Sequence, residues 1–426
     1  MNEYDVIIAG SGIAGLFCAL NLGREKNILV ITKDALDQSD SFLAQGGICV
    51  QRDDDDYDSF VNDTLKAGHY ENDIKAVQTM VGMSREIISD LLNIGVNFDR
   101  VGDDFSYTKE GAHSKPRILH FKDTTGEEIN GKLIKKTRDY DNITILEKSR
   151  VIDILEKNNT CYGVAVRVSE DKTENYYANV TVLATGGIGG LFKRSTNYPH
   201  LTGDAVAIAL KHNVAVKNIN YIQIHPTSLY TEKPGRAFLI SESVRGEGAI
   251  LINKAGERFV DELLPRDVVT KKIYEQMDAD NMPYVRLCIA GHVKAEIKER
   301  FPGIYKKCLE EGFDITKQCV PVVPAQHYFM GGIEADLNGR TSMDALYAVG
   351  ETSCNGVHGK NRLASNSLLE SLVFSKRAAQ DIMANWQVKT HQVFPVNSYP
   401  SNWAIGEADK GMILNEIKRQ DNINAV

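Results

Sequence analysis

Three glycines near the N-terminus have the spacing of a dinucleotide-binding turn. Gly10, Gly12 and Gly15 follow the pattern G-x-G-x-x-G, in which the first glycine makes a tight turn and the second lets the backbone approach a pyrophosphate. The third allows close contact between helix and strand, and the helix N-terminus offers free N–H groups and a positive dipole end. An ordinary glycine-rich turn has the same composition, so the flanking elements decide between the two.

The segments around these glycines predict a strand, a helix and a second strand. Residues 4–9 are a short apolar run, residues 16–20 favour a helix, and residues 27–32 are typical of a buried strand. Together they predict a βαβ unit, which favours a nucleotide site over a plain turn. Thr32 and Lys33 stand where a NAD-binding domain carries the acid that holds the ribose. A plain NAD-binding module is therefore disfavoured, and Lys33 is expected to face a phosphate or the adenine.

Further glycine-rich turns follow along the chain. Gly46 and Gly47 would let the main chain approach a flat ring, although a flexible turn would have the same composition. Apolar runs ending in glycine at 180–187 and 345–351 predict more strands of one nucleotide-binding sheet, and a helix is predicted over 205–210.

The strands of this sheet are separated by an insertion that is too long for a loop, and we expect it to be a second, α+β domain. The predicted units are a sheet domain built from residues 1–219 and 329–390, an inserted domain over 220–328, and a short C-terminal tail over 391–426. Apolar positions at helical spacing also predict helices over 57–67, 72–93 and 404–419.

Composition narrows the class of protein. The 426 residues carry a formal net charge of −8, which argues against a general nucleic-acid binder. No apolar run reaches the length of a membrane helix, and no secretory signal is expected. Seven cysteines without a C-x-x-C pair argue against a disulfide scaffold and against a zinc or iron–sulfur site. The acidic run 53–56 is expected to be a solvated turn. These features predict a cytoplasmic α/β enzyme without a metal.

Taken as a set, the motifs resemble those of the flavoprotein subunits of the succinate dehydrogenase, fumarate reductase and L-aspartate oxidase superfamily. They recur in order over about 390 residues: G-S-G-I-A-G (10–15), A-Q-G-G (44–47), A-T-G-G (184–187), T-G-D (202–204), H-P-T (225–227), S-E-S-V-R-G-E-G (241–248), P-R-D (265–267), H-Y-F-M-G-G (327–332), G-E (350–351) and N-R-L-A-S-N-S-L-L-E (361–370). Such a series is far more specific than any single glycine motif.

The resemblance implies an α/β fold: a Rossmann-like FAD-binding domain with an inserted α+β capping domain and a truncated C-terminal helical tail. Members in membrane complexes attach FAD through a His four positions before the Ala of A-Q-G-G, but this chain has Asp40 there, so its FAD is expected to be noncovalent. The FAD contacts implied by the motifs are Gly10, Ser11, Gly12, Ile13, Ala14, Gly15, Lys33, Asp40, Ser41, Phe42, Leu43, Ala44, Gln45, Gly46, Gly47, Asp204, Glu351, Ser367 and Leu368. Glu351 would accept hydrogen bonds from ribityl or ribose hydroxyls, or would cap the next helix.

A second detail points to the aspartate-oxidase branch. The segment 110–120 resembles the pattern E-G-x-H-S-x-x-R-I-L-H of that branch. The resemblance implies that Glu110 attracts the ammonium of L-aspartate, whereas a solvated surface Glu is the alternative. The dicarboxylate would be held by substrate-binding residues that the motifs place at His225, Ser241, His327 and Arg362.

The motifs also imply the groups that move protons. Arg266 matches the proton-transfer Arg of the superfamily, and because a free guanidinium is a poor base, Glu242 would complete its relay. Arg245 would join that relay or stabilise the loop through an ion pair. Hydride would leave the α-carbon, or dehydrogenation across the α- and β-carbons would give the enamine tautomer.

The implied activity is oxidation of L-aspartate to iminoaspartate with dioxygen or fumarate as electron acceptor, the first step of NAD biosynthesis by the quinolinate route. A transient contact with quinolinate synthase follows as an expectation, without nucleic acid or membrane. Two alternatives stay open: a soluble fumarate reductase or succinate dehydrogenase-like flavoprotein, and a noncatalytic electron-transfer subunit on an iron–sulfur partner. Noncovalent flavin speaks against the second.

Overall fold

The computed structural model describes residues 2–293, 296–389 and 392–424. The helices are α1 (Ile13–Asn21), α2 (Tyr57–Ala67), α3 (Ile74–Ile94), α4 (Thr125–Thr137), α5 (Asp204–Lys211), α6 (Glu242–Gly246), α7 (Arg266–Asp280), α8 (Ile297–Arg300), α9 (Pro302–Glu310), α10 (Asn366–Ala384) and α11 (Asn402–Asn424). The strands are β1 (Asn2–Ala9), β2 (Ile28–Ile31), β3 (Ile48–Cys49), β4 (Arg100–Val101), β5 (Asp104–Phe105), β6 (Tyr107–Thr108), β7 (Ile118–Leu119), β8 (Ile143–Leu146), β9 (Arg150–Lys157), β10 (Thr160–Ser169), β11 (Lys172–Leu183), β12 (Val216–Lys217), β13 (Ile222–Leu229), β14 (Ile250–Ile252), β15 (Val285–Cys288), β16 (Val320–Phe329), β17 (Gly332–Glu334), β18 (Leu346–Ala348) and β19 (Ser353–Cys354).

The largest sheet has seven strands in the order β8-β2-β1-β11-β10-β9, with β18 also paired to β11. The pairs β8·β2, β2·β1, β1·β11 and β11·β18 are parallel, whereas β10 and β9 are antiparallel. Residues 6–9 and 28–31 are buried throughout, as central parallel strands require because both sheet faces are covered. The carboxyl ends of the parallel strands therefore meet along one edge, where ligands bind in open α/β sheets.

The predicted βαβ unit is confirmed as β1, α1 and β2. Gly10 has φ +120°, and a Cβ there would collide with the carbonyl of Ala184. A Cβ at Gly15 would collide with the carbonyl of Gly10, so close helix–strand contact depends on both glycines. The helices predicted over 57–67, 72–93, 205–210 and 404–419 are also confirmed, as α2, α3, α5 and α11.

A second sheet lies within the predicted insertion. Its four antiparallel strands have the order β13-β16-β15-β14, and α6 to α9 connect or flank them. A separate apolar core that includes Leu251, Ile273 and Phe301 fills this part of the chain. It has the α+β character that the insertion length predicted. The boundaries near 219 and 328 stay predictions, and the one at 390/391 lies outside the described residues.

Two expectations from composition need correction. Cys288 at the end of β15 and Cys319 just before β16 form a disulfide that joins the two ends of their connection, although their spacing gave no signal of pairing. In the acidic run, Asp56 is fully buried because Arg117 binds its carboxylate, so the prediction of a solvated turn is wrong at that residue. In the described ranges, no helix is long and apolar enough to cross a bilayer, and no group of three His, Cys, Asp or Glu side chains is arranged around a metal position.

Candidate functional site

One cavity at the carboxyl edge of the parallel strands brings the predicted site residues together. All of them line it except Ile13, Gly15 and Phe42. Ile13 packs in the core while its N–H donates to Ser41 Oγ over 3.2 Å, and Gly15 lies beneath Gly10. Ile13 and Gly15 shape the turn without facing the cavity. Phe42 does not line the cavity either, so the lining gives no support to its predicted contact with FAD.

A buried acid–base pair stands in the wall that α6 and α7 provide. Arg266 Nε donates to Glu242 Oε2 over 2.5 Å, and Arg266 Nη1 donates to Gln223 Oε1 over 2.9 Å. Arg245 Nη2 lies 3.6 Å from the same Glu242 oxygen. Burial alone would raise the pKa of Glu242, but the charges of Arg266 and Arg245 lower it, so this carboxylate is ionised. The predicted contact between Arg266 and Glu242 is present, and the position of Arg245 fits both of its alternatives, a member of the relay or an ion pair that stabilises the loop.

Glu110 lies beside this pair and not at the surface. It is 2% exposed, and its Oε2 accepts a hydrogen bond from Ser365 Oγ over 2.7 Å. Its other oxygen fits against Gly46, where a Cβ would come within 2.9 Å of it. Burial, and then the charge of Glu242, raise the pKa of Glu110 above its usual range. The alternative of a solvated surface Glu is therefore wrong.

The two histidines of the cavity face each other. The ring centroids of His225 and His327 are 5.1 Å apart in an edge-on arrangement. The N–H of Thr227 donates to His225 Nδ1 over 3.2 Å, so neutral His225 carries its proton on Nε2. Burial, and then the charge of Arg266, lower the pKa of both histidines well below the usual value. His225 is therefore a neutral N–H donor at physiological pH, and Thr196 Oγ1 lies 2.7 Å from His327 Nδ1.

Arg362 is a second buried cation of the cavity. It is 3% exposed, its guanidinium lies 4.3 Å from the ring centre of Tyr328, and its Nη1 donates to Ser367 Oγ over 3.3 Å. Burial, followed by repulsion from Arg266, lowers the pKa of Arg362 to about 10, which still leaves it charged at neutral pH. The hydroxyl of Ser241 accepts the Ser243 N–H and so caps α6.

We call Glu110, Glu242, Arg266, His225, His327 and Arg362 the Glu110 cluster. Two nitrogen atoms of this cluster form no hydrogen bond within the described protein. In the described part of the chain, His225 Nε2 and Arg362 Nε are buried without a hydrogen-bond partner. Buried polar atoms without partners are costly, so the pair indicates a polar ligand with acceptor groups.

A second group of charges is linked through Lys33. Lys33 Nζ lies 2.9 Å from Asp204 Oδ2, and it also donates to Thr202 Oγ1 and to the carbonyl of His200. Arg150 holds the same carboxylate through Nε at 3.3 Å and Nη2 at 2.9 Å. We call Lys33, Asp204, Arg150 and Asp409 the Lys33 cluster. Burial opposes ionisation of Asp204, but Lys33 and Arg150 nevertheless lower its pKa.

The remaining cavity wall fits a flavin nucleotide. The turn at Gly10 has no room for a side chain, and a Cβ at Gly47, which also lines the cavity, would collide with the carbonyl of Leu119. Among the described residues, Asp40 Oδ2 and Gln45 Oε1 are buried acceptors without a donor. Burial raises the pKa of Asp40 to about 7 and that of Glu351 to about 8. Such acceptors suit the imide N–H and the hydroxyl groups of FAD.

The carboxylate of Glu351 does not make the contact that capping the next helix would require. Its Oε1 accepts the backbone N–H of Phe329 over 2.9 Å, and it does not cap the following helix. It lines the cavity from a short turn at Gly350–Thr352. A Cβ at Gly187 would collide with its carboxylate, so the A-T-G-G motif makes room for this side chain.

The segment that carries Glu110 is held from behind by a buried cation. Arg117 is fully buried and binds Asp56 at 2.9 Å and Asp63 at 2.6 Å. It also donates to His113 Nδ1 over 3.0 Å, and His113 Nε2 in turn lies 3.0 Å from the carbonyl of Ala364. This network fixes the Glu110 segment against the turn that precedes α10.

Sequence reasoning missed several of these supporting residues. Ser365 and Tyr328 stand inside the motifs N-R-L-A-S-N-S and H-Y-F-M-G-G, so their positions carry a signal in the sequence. Gln223 and Thr196 carried none, because their contacts cross 43 and 131 residues of chain. Lining residues Arg236 and Asn197 likewise lie outside every motif.

Comparison with known proteins agrees with this geometry. A family model described as "FAD binding domain" matches residues 5–368. L-Aspartate oxidase of Clostridium perfringens is 52% identical over 89% of this chain and 86% of its own length. L-Aspartate oxidase of Clostridium acetobutylicum is 49% identical over 89% and 88%. A quinol fumarate reductase of E. coli superimposes with a TM-score of 0.84 at 29% identity, covering 98% of this chain and 74% of that one.

Proposed function

This chain belongs to the L-aspartate oxidase family of FAD-binding proteins, and from that premise we propose that it oxidises L-aspartate to iminoaspartate with noncovalent FAD. Dioxygen or fumarate accepts the electrons, and the reaction is the first step of NAD biosynthesis by the quinolinate route. The observation that carries the proposal is the buried carboxylate of Glu110 among Arg266, Arg362 and two neutral histidines.

The charges of this cluster complement those of aspartate. Two carboxylates of the substrate require cationic or neutral donors, which Arg362, Arg266 and His225 Nε2 supply. The ammonium requires an anion, and Glu110 faces the same cavity with its carboxylate. Succinate lacks the ammonium, so it would leave Glu110 buried without a cation. That cost favours aspartate over succinate in the site.

The residues also provide for the protons of the reaction. Bound FAD would supply the acceptor for the two electrons that leave the substrate C–H bond as hydride. The raised pKa of Glu110 suits it to take a proton from the substrate ammonium, because an ordinary Glu would be too weak a base. Arg266 and Glu242, 2.5 Å apart, hold a proton that Arg266 delivers to carbon when fumarate is reduced. Removal across the α- and β-carbons would use the same groups.

A soluble fumarate reductase is the second candidate, favoured by the likeness to the E. coli enzyme. It would need the Arg–Glu pair, both histidines and Arg362, but it has no use for a buried carboxylate at position 110. The two candidates therefore differ in the role of one side chain.

The deciding experiment mixes the FAD-loaded protein anaerobically with L-aspartate or with succinate and follows the flavin absorbance. Bleaching by aspartate supports the oxidase. Bleaching by succinate alone overturns it in favour of the fumarate reductase. No bleaching by either, with fumarate unable to reoxidise chemically reduced protein, would overturn both.

We further propose a cytoplasmic location and a transient contact with quinolinate synthase, since iminoaspartate hydrolyses readily and has to be consumed quickly. The measurement is quinolinate yield from the two enzymes in the presence of an agent that traps free iminoaspartate. Yield that resists the trap supports the contact, and yield that falls to that of added free iminoaspartate contradicts it.

A further inference from the structure

The C-terminal helix α11 is tied by charge to the wall of the cofactor cavity. Asp409 of this helix is 3% exposed, and its carboxylate binds Arg150 Nη2 at 3.0 Å and Lys211 Nζ at 2.7 Å. Arg150 also donates through Nη1 to the carbonyl of Asn402 at the start of α11. A carboxylate buried between two cations fixes the position of the helix that carries it.

The same guanidinium also binds a residue of the cavity wall. Arg150 Nη2 is shared between Asp409 and Asp204, and Asp204 also binds Lys33 at 2.9 Å. Asp204 and Lys33 line the cavity, whereas Asp409 does not. The charges therefore run without interruption from Lys211 through Asp409, Arg150 and Asp204 to Lys33.

An apolar contact also links α11 to the cavity wall, independently of these charges. Ile413 of α11 is fully buried in a small core with Ile188 and Val206. It packs on Gly203, where φ is +76° and a Cβ would come within 2.8 Å of Ile413 Cδ1. Gly203 is the residue before Asp204, so α11 presses on the turn that presents Asp204 to the cavity.

We propose that α11 is a positioning element of the cofactor site, with Asp409 holding Asp204 and Lys33 in place through Arg150. Docking of α11 and binding of FAD are then linked: each stabilises the other by the same free energy. The inference rests on the proposed function only in that FAD occupies this cavity.

Asp409 contacts Arg150 and Asp421 does not, although both are acids of α11 that bond to the protein body. Asp421 Oδ1 accepts from Asn220 Nδ2 over 2.9 Å at the exposed end of the helix. The matched variants are therefore Asp409→Asn and Asp421→Asn. FAD is titrated into each apoprotein, and the dissociation constant is read from quenching of flavin fluorescence.

We expect Asp409→Asn to raise the FAD dissociation constant about tenfold, because Arg150 loses one of its two carboxylates, and Asp421→Asn to change it less than twofold. A conservative Asp409→Glu variant should recover part of the affinity. An unchanged constant for Asp409→Asn in a protein of normal circular dichroism, or an equal rise for both Asn variants, overturns the proposal.

A measurement on the unmodified chain covers the case in which Asp409→Asn fails to fold. Amide hydrogen exchange over 405–415 is compared with and without FAD, and we expect at least a several-fold slowing when FAD is bound. Equal exchange in both samples overturns the linkage. Failure of the proposed function looks different, since FAD would then bind with the predicted linkage while aspartate leaves the flavin oxidised.

Discussion

The Glu110 cluster and the Lys33 cluster are both buried and charged, yet they use their charges differently. Arg150, Lys33 and Asp204 in the Lys33 cluster satisfy one another through ion pairs at about 3 Å. In the Glu110 cluster, by contrast, His225 Nε2 and Arg362 Nε belong to cavity-lining residues and are buried without a protein partner. One cluster therefore maintains a shape, whereas the other keeps donors ready for a ligand.

This difference shows how to separate two roles of buried charge. Removing a member of a satisfied network destabilises what the network holds, here the cofactor wall and α11. Removing a member of the unsatisfied cluster removes a ligand contact or a proton carrier and affects turnover. Substitutions in the two clusters should therefore change different measurements.

The largest effect is expected for Arg266→Gln, which removes the proposed proton carrier. We expect kcat for fumarate reduction to fall roughly 1000-fold, in the range of acid–base catalysts, with the FAD dissociation constant nearly unchanged. Steady-state kinetics and FAD titration check this. Arg266→Lys keeps a positive charge beside Glu242 and serves as the folding control. A tenfold weaker FAD affinity in a well-folded Gln variant would break the distinction between the clusters.

Glu110→Gln should impair aspartate oxidation about 100-fold in kcat/KM and fumarate reduction less than threefold. The reason is that the variant loses a charge-assisted hydrogen bond, worth about 1.5–3 kcal/mol, to an ammonium that only aspartate carries. Paired assays with the two substrates measure the ratio. Equal losses in both assays would remove the selectivity role of Glu110.

The pH dependence should carry the same signature. Since burial and Glu242 raise the pKa of Glu110, this group loses its charge at a higher pH than an ordinary Glu as the solution is acidified. We expect kcat/KM for aspartate to fall by up to about tenfold per unit below that raised pKa. The fall should be absent from the Glu110→Gln variant. Identical acid limbs in both proteins would assign the titration to another group.

The smallest effect is expected for Ser365→Ala. Loss of the 2.7 Å hydrogen bond to Glu110 costs about 1–2 kcal/mol of positioning, so kcat/KM for aspartate should fall about tenfold. Fumarate reduction and FAD affinity should stay within twofold. A loss that is equal for both substrates would mean that Ser365 supports the cavity in general and does not orient Glu110.

Local patterns predicted much of the fold, because strands β1 and β2, the turn at Gly10 and helices α2 and α3 depend on neighbouring residues. The site residues came from a resemblance that covers most of the chain. What escaped prediction depends on contacts between distant segments. Arg117 binds Asp56 from 61 residues away in the sequence and so allows this carboxylate to be buried. Asp409 binds Arg150 across 259 residues. No local pattern encodes such pairs, and the Cys288–Cys319 disulfide, a separation of 31 residues, escaped for the same reason.

Gly111 limits how this pocket can be redesigned. A Cβ at that position would collide with the Glu242 carboxylate, so the peptide that follows Glu110 packs directly against this side chain. Transplanting the selectivity segment into a succinate-oxidising scaffold would therefore demand a glycine at the matching place, or the graft would push the relay acid off its arginine. The groups proposed to recognise the amine and to deliver the proton therefore depend on each other for space, and engineers would have to exchange them together.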